Sequence, residues 1–218
     1  MTTPSDTLDE LQRRALALLA HVQPRWVLVG GAALAGLYFH HRTTRDLDLF
    51  WRDRSHLGEL AAECSRLLRD GGLQVATLQT GGAFHRLRVG DGNAVIVVDL
   101  VAEPTPSLDA PAERMVGGAS VQVASLHDLL VDKLCALLGR AEIRDLVDVR
   151  ALLAAGGDLD RALRDAPRRD AGFSALTLAW VLRGLPVTNL AHSADLPTAQ
   201  AEELARFRSD LVVRLASR

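Results

Sequence analysis

The run VLVGGAALAGLYFHHRTTRDLDLFW, from Val27 to Trp51, constrains this chain more than any other stretch. A short apolar strand ends at Val29, two glycines follow at once, and an Asp-x-Asp pair arrives with Asp46 and Asp48. Glycine carries no Cβ, so the backbone amides at Gly30 and Gly31 can approach a polyphosphate closely, and a helix starting there adds its positive N-terminal end. Residues two apart in an extended strand share a face, so the carboxylates of Asp46 and Asp48 converge. Converging carboxylates beside a phosphate-cradling turn are what a Mg²⁺–nucleotide site requires.

The rest of the chain reads as an α+β organisation, a mixed sheet with flanking helices and then an all-helical region. Helical spacing covers 6–21, strands are expected at 26–29 and 46–51, and the residues between them, 32–40, suit a helix. A helix over 55–69 ends at Gly71-Gly72, followed by strands at 73–78, 84–89 and 94–101, the last two joined by a hairpin at Asp91-Gly92. A Pro-rich loop spans 104–111 and a final short strand 121–124. Five helices then follow, at 125–139, 142–155, 158–166, 173–184 and 197–216. The expected division is an α/β core over 1–124 and a helical domain over 125–218.

Composition excludes more than it assigns. The chain has 218 residues and a net charge of −2, with 11 basic and 13 acidic groups up to residue 110 and 14 of each beyond it. No basic half or tail announces a nucleic acid, so any such contact rests on a local patch. The N-terminus is too polar for a signal peptide, and no apolar run approaches the ~18 residues of a membrane span. Cys64 and Cys135 fall in helical patterns and fit reduced thiols in a cytoplasmic protein. Of 25 basic side chains, Lys133 is the single lysine. Arginine-rich coding explains the bias, but a site that needs a compact ammonium explains why one lysine remains.

Further candidates come from position. Asp99 interrupts the hydrophobic run AVIVVDLVAE; it reads either as a strand-end aspartate that faces solvent or pairs with an arginine, or as a metal ligand or base beside Asp46 and Asp48. Lys133 lies within the apolar stripe of helix 125–139, aimed at a cleft rather than at bulk water. Asp145 and Asp148 share a helix face, and spacing alone reads them as exposed ion pairing through Arg144. His40 and His41 lack partners at zinc spacing and read as a helix end, while oxygen donors favour Mg²⁺ or Mn²⁺. Trp51 reads as packing at a strand end and Trp180 as core. Arg161, Arg164, Arg168 and Arg169 read as a solvated helix face.

Taken in order, LVGGAALAGLYFHHRTTRDLDLF, VVDLV and LHDLLVDKLCALLGRAEIRDLVDVRAL resemble the AbiEii-type nucleotidyltransferases of the polymerase-beta-like superfamily, which include toxins of type IV toxin–antitoxin systems. The resemblance spans roughly residues 25–155. It implies a nucleotidyltransferase core whose active site is completed by the helical region. By it, Gly30 and Gly31 cradle the triphosphate, Asp46 and Asp48 hold Mg²⁺ or Mn²⁺, and Arg42 matches the basic residue preceding Asp-x-Asp. Lys133 matches a lysine that contacts nucleotide phosphates, and either Asp145 or Asp148 matches the fourth-motif aspartate. Whether Asp99 matches the third superfamily carboxylate stays open. The wider superfamily often has Gly-Ser in the first motif, whereas this chain has Gly-Gly followed by Ala32, leaving the backbone to hold the phosphate. The implied partners are an NTP, a tRNA acceptor and a cognate antitoxin. A small-molecule acceptor and a non-catalytic nucleotide-binding role are the alternatives.

Overall fold

The computed structural model describes residues 7–217 and divides after Ser125 into two compact units. The first holds a seven-stranded mixed sheet in the order β3-β4-β5-β2-β1-β7-β6. Its strands are β1 (Val27–Val29), β2 (Asp46–Arg52), β3 (Gln74–Thr80), β4 (Phe84–Gly90), β5 (Val95–Glu103), β6 (Ala112–Val116) and β7 (Ala119–Val123). β1 runs antiparallel to β2 and parallel to β7, while β2 and β5 are parallel.

The strand β2 alternates as a half-buried strand must. Leu47, Leu49 and Trp51 are buried, and Asp46, Asp48, Phe50 and Arg52 lie on the partly open face. The apolar side is covered by α1 (Glu10–Leu19) and α2 (Leu60–Asp70), which contribute Leu11, Leu16, Leu19, Leu60, Cys64 and Leu68. Each buried leucine of this kind adds about 1.5–3 kcal/mol of transfer free energy. Trp51 packs as expected, and its indole Nε1 donates to the Pro24 carbonyl at 2.7 Å. α1 starts at a capping box: the Gln12 amide donates to Asp9 Oδ1 (2.7 Å) and the Gln12 side chain accepts from the Asp9 amide (2.9 Å). Its expected first residue, Asp6, lies outside the described residues.

The helix expected at 32–40 is a π-helix, Ala32–Phe39, ended by His40 in the left-handed conformation. Thr7 anchors it, donating from Oγ1 to the Ala35 carbonyl at 2.7 Å. The strand β6 was not anticipated; it pairs antiparallel with β7 across Gly117-Gly118, both at positive φ. Its segment AERMV shows only Val116 buried, so it lacks the apolar alternation that marks a strand.

The second unit is helical: α3 (Leu126–Arg140), α4 (Ile143–Ala154), α5 (Leu159–Asp165), α6 (Ala175–Gly184), α7 (Val187–Ser193) and α8 (Thr198–Ala216). Leu129, Leu130, Leu134, Leu146, Val149, Leu178, Leu182, Leu204 and Leu211 make its core. The short α7, with only Val187 and Ala191 buried, carries no helical pattern in the sequence, and the structure departs from two expectations in this unit. Trp180 is 74% exposed rather than core, because Leu178, Ala179 and Leu182 form the buried stripe of α6 and Trp180 falls outside it. Arg169 is not on a solvated face: its guanidinium is buried and pairs with Asp128 and, at 3.1 Å, with Asp132. Among the described residues no helix is long and apolar enough to cross a membrane.

Candidate active site

In the first unit the glycine pair and the Asp-x-Asp strand meet at the end of β1. Gly30 has φ +64°, and an ideal Cβ on it would stand 2.0 Å from Asp48 Oδ2. A Cβ on Gly31 would stand 2.8 Å from Arg42 Nη2 and 3.0 Å from Thr44 Oγ1. The missing side chains thus let a carboxylate and a guanidinium close directly on bare backbone at the start of a helix, where amide groups have no partner within the helix. The loop carrying Arg42 and Thr44 is pinned by Gln12, a fully buried side chain of α1 that donates from Nε2 to the Thr44 carbonyl at 3.0 Å.

Strand register extends the site sideways. Val29 of β1 faces Asp48 of β2, Asp48 faces Asp99 of β5, and Asp99 faces Arg86 of β4. Asp46, two residues before Asp48, opens onto the same face. Arg86 grips Asp99 with both arms of its guanidinium, Nε to Oδ1 at 2.8 Å and Nη2 to Oδ2 at 2.7 Å. The hydrogen bonds and charge of Asp99 raise the Arg86 pKa above its ordinary value, and Asp46 and Asp48 add to the rise. Three charges therefore share one row of the sheet, and Asp46 lies beside it on the same face.

The oxygen-rich donor set fits a hard dication. Asp46 and Asp48 supply two carboxylates, and the cradle at Gly30, which a Cβ would fill, lies against one of them. Among the described residues no three His, Cys, Asp or Glu side chains gather closely enough to cage a metal by themselves. A cation here would complete its shell from triphosphate oxygens and water, as Mg²⁺ does at nucleotide sites.

In the second unit Lys133 and both candidate aspartates meet. Lys133 Nζ lies 2.8 Å from Asp145 Oδ1 and 2.7 Å from Asp148 Oδ2, with the lysine 6% exposed and both aspartates fully buried. Arg140, at the end of α3, adds Nε to Asp145 Oδ2 at 2.8 Å. Burial pushes the Asp145 carboxyl up, but the Arg140 hydrogen bonds and the Lys133 charge outweigh it and hold the pKa below the ordinary value. The exposed pairing through Arg144 is overturned: Asp145 and Asp148 face inward on α4, while Arg144 lies 2.5 Å from Glu142.

Neither Arg86 nor Arg140 stood out in the sequence. Arg86 could be found only from the true length of the β4–β5 loop, which sets its register, and Arg140 only by placing the α3–α4 turn. The two cysteines are inert where they sit; burial pushes each thiol up to about 12, and both are free.

Comparison with known proteins gives the family and the fold. The model of the family described as nucleotidyl transferase AbiEii toxin, type IV TA system, matches residues 14–216. Among solved structures, JHP933 from Helicobacter pylori is similar at 19% identity and a TM-score of 0.53, covering 95% of this chain and 91% of that one. A putative nucleotidyltransferase from H. pylori is similar at 19% identity and a TM-score of 0.54, covering 96% of this chain and 98% of that one. These likenesses concern the fold. No curated protein matches in sequence. With the family model spanning nearly the whole chain, this protein belongs to the AbiEii nucleotidyl transferase toxin family of type IV toxin–antitoxin systems and is a nucleotidyltransferase.

Proposed function

We propose that this nucleotidyltransferase moves a nucleotidyl group from an NTP to the 3′ end of tRNA in the cytoplasm, as a toxin restrained by a cognate antitoxin. The family implies the NTP and the antitoxin. The observation that carries the reading is Gly30, whose bare backbone packs directly against Asp48. That closeness sets a phosphate-binding turn beside two carboxylates, which serves transfer of a phosphate-bearing group and little else.

In this reading the amides following Gly30 and Gly31 and the guanidinium of Arg42 hold the triphosphate. Asp46 and Asp48 hold Mg²⁺ or Mn²⁺, which when bound neutralises the triphosphate and polarises its phosphorus. Lys133, its ammonium bridging Asp145 and Asp148, is the lysine to which the family resemblance gives the nucleotide phosphates. The acceptor oxygen bonds to the α-phosphorus as the bridge to the β-phosphate breaks and pyrophosphate leaves; the acceptor's proton passes to a carboxylate of the β2–β5 row. Asp99 is the third carboxylate of that row, as ligand or as base.

Incubation of the purified protein with total tRNA, Mg²⁺ and each of the four α-³²P-labelled NTPs tests the acceptor. The expected result is label in tRNA with one or two nucleotides. Label in a small molecule, or in no acceptor with any nucleotide, contradicts the tRNA assignment.

A further inference from the structure

We propose that Arg86 is a built-in counter-charge that withholds Asp99 from the metal, so that the dication is held by Asp46 and Asp48 alone and arrives with the nucleotide. The inference rests on the metal-site reading above and removes the ligand role left open for Asp99. Three carboxylates in adjoining registers of β2 and β5 would ordinarily form a strong dication site with no nucleotide present. Here the third is occupied: the Arg86 fork engages both Asp99 oxygens at 2.8 and 2.7 Å. Geometry of this bidentate kind is the strongest that a carboxylate makes with a side chain. Asp99 is buried while Arg86 is about half exposed, so the pair faces the open side of the sheet rather than the core. The ring of Phe84 lies 5.6 Å beneath the guanidinium and steadies it.

The guanidinium acts twice on an incoming cation. It removes one ligand, and its own charge, felt by Asp46 and Asp48, repels a dication. A weak free-metal site has a consequence for catalysis. The triphosphate must bring its own charge before the cation is held tightly, so a metal without nucleotide occupies the turn only weakly. Arg86 is thus a positioning residue, acting through Asp99.

Mn²⁺ titration followed by electron paramagnetic resonance, without nucleotide, tests this on the full chain. Arg86→Gln and Arg86→Met, which remove the charge, are expected to tighten Mn²⁺ binding about tenfold or more. Arg86→Lys, which keeps the charge but loses the two-armed contact, should fall between the parent protein and the neutral variants. Adding Asp99→Asn to Arg86→Gln should abolish the gain, which a merely structural role for Arg86 does not predict. If both neutral variants, shown to be folded by circular dichroism, bind Mn²⁺ like the parent, the inference is overturned. Asp48→Asn separates the two levels: Mn²⁺ binding that survives this change sinks the metal-site reading itself, whereas its loss with no gain in the Arg86 variants sinks only the role of Arg86.

Discussion

Gly30 shows how narrowly one residue can be specified. Alanine there would need left-handed backbone, costing about 1–2 kcal/mol, and would drive its methyl into Asp48 Oδ2. Gly30→Ala should therefore lower nucleotidyl transfer by about a hundredfold or more while the melting temperature moves only a few degrees. Unchanged activity would mean that the turn does not serve the chemistry. Lys133 makes the converse point. Its ammonium bridges two fully buried carboxylates, and removing one partner of such a cluster costs about 3–5 kcal/mol. Lys133→Met should lose that much in urea unfolding, and Arg cannot substitute because its planar fork is larger than the gap between the two acids. The lone lysine of an arginine-rich sequence was legible as a compact-ammonium site. Its partners were not, because Arg144 offered Asp148 an equally good local pairing at helical spacing.

The same cluster fixes an acid response. Asp145 has a folded-state pKa below its unfolded value, so its stabilising contribution is present above the unfolded carboxylate pKa of about 3.9 and is lost as pH falls below it. Urea midpoints measured from pH 7 to pH 3 should fall more steeply for the parent protein than for Asp145→Asn below about pH 4. Parallel slopes would contradict the assignment.

At the scale of elements, strong periodicity was readable and weak periodicity was not. β2 announced itself through alternation, and the apolar stripe of α3 was equally plain. β6 and α7 carried too little pattern, and the π-helix differs from an ordinary helix in hydrogen bonding rather than in composition. The β4–β5 hairpin was foreseen at Asp91-Gly92, yet a two-residue turn there would place Arg86 opposite Val97. The loop instead takes four residues, 91–94, with Asp91 Oδ1 accepting from the amides of Asn93 and Ala94 at 2.9 and 2.8 Å, which pairs Gly90 with Val95 and Arg86 with Asp99. Trp180 was misplaced because LTLAWVL is apolar on every side, and periodicity cannot choose a face in such a run. Trp180→Ser should change stability by no more than about 0.5 kcal/mol and remove most acrylamide-quenchable fluorescence, since Trp26 and Trp51 are shielded. A loss of several kcal/mol would show Trp180 to be structural.

For the whole molecule, family membership and fold were legible because the motifs occur in order along the chain. The acceptor was not, because acceptor choice depends on surface shape and local charge, to which the near-neutral halves give no clue. The account stands on Asp48 as the carboxylate that the glycine turn was shaped to admit. Its most direct test is the single-turnover rate of α-³²P-nucleotide transfer for the parent protein and Asp48→Asn, each confirmed folded by thermal melting. A fall of at least about 10²-fold is expected for the variant, and transfer by folded Asp48→Asn at the parent rate would contradict a catalytic role for this carboxylate.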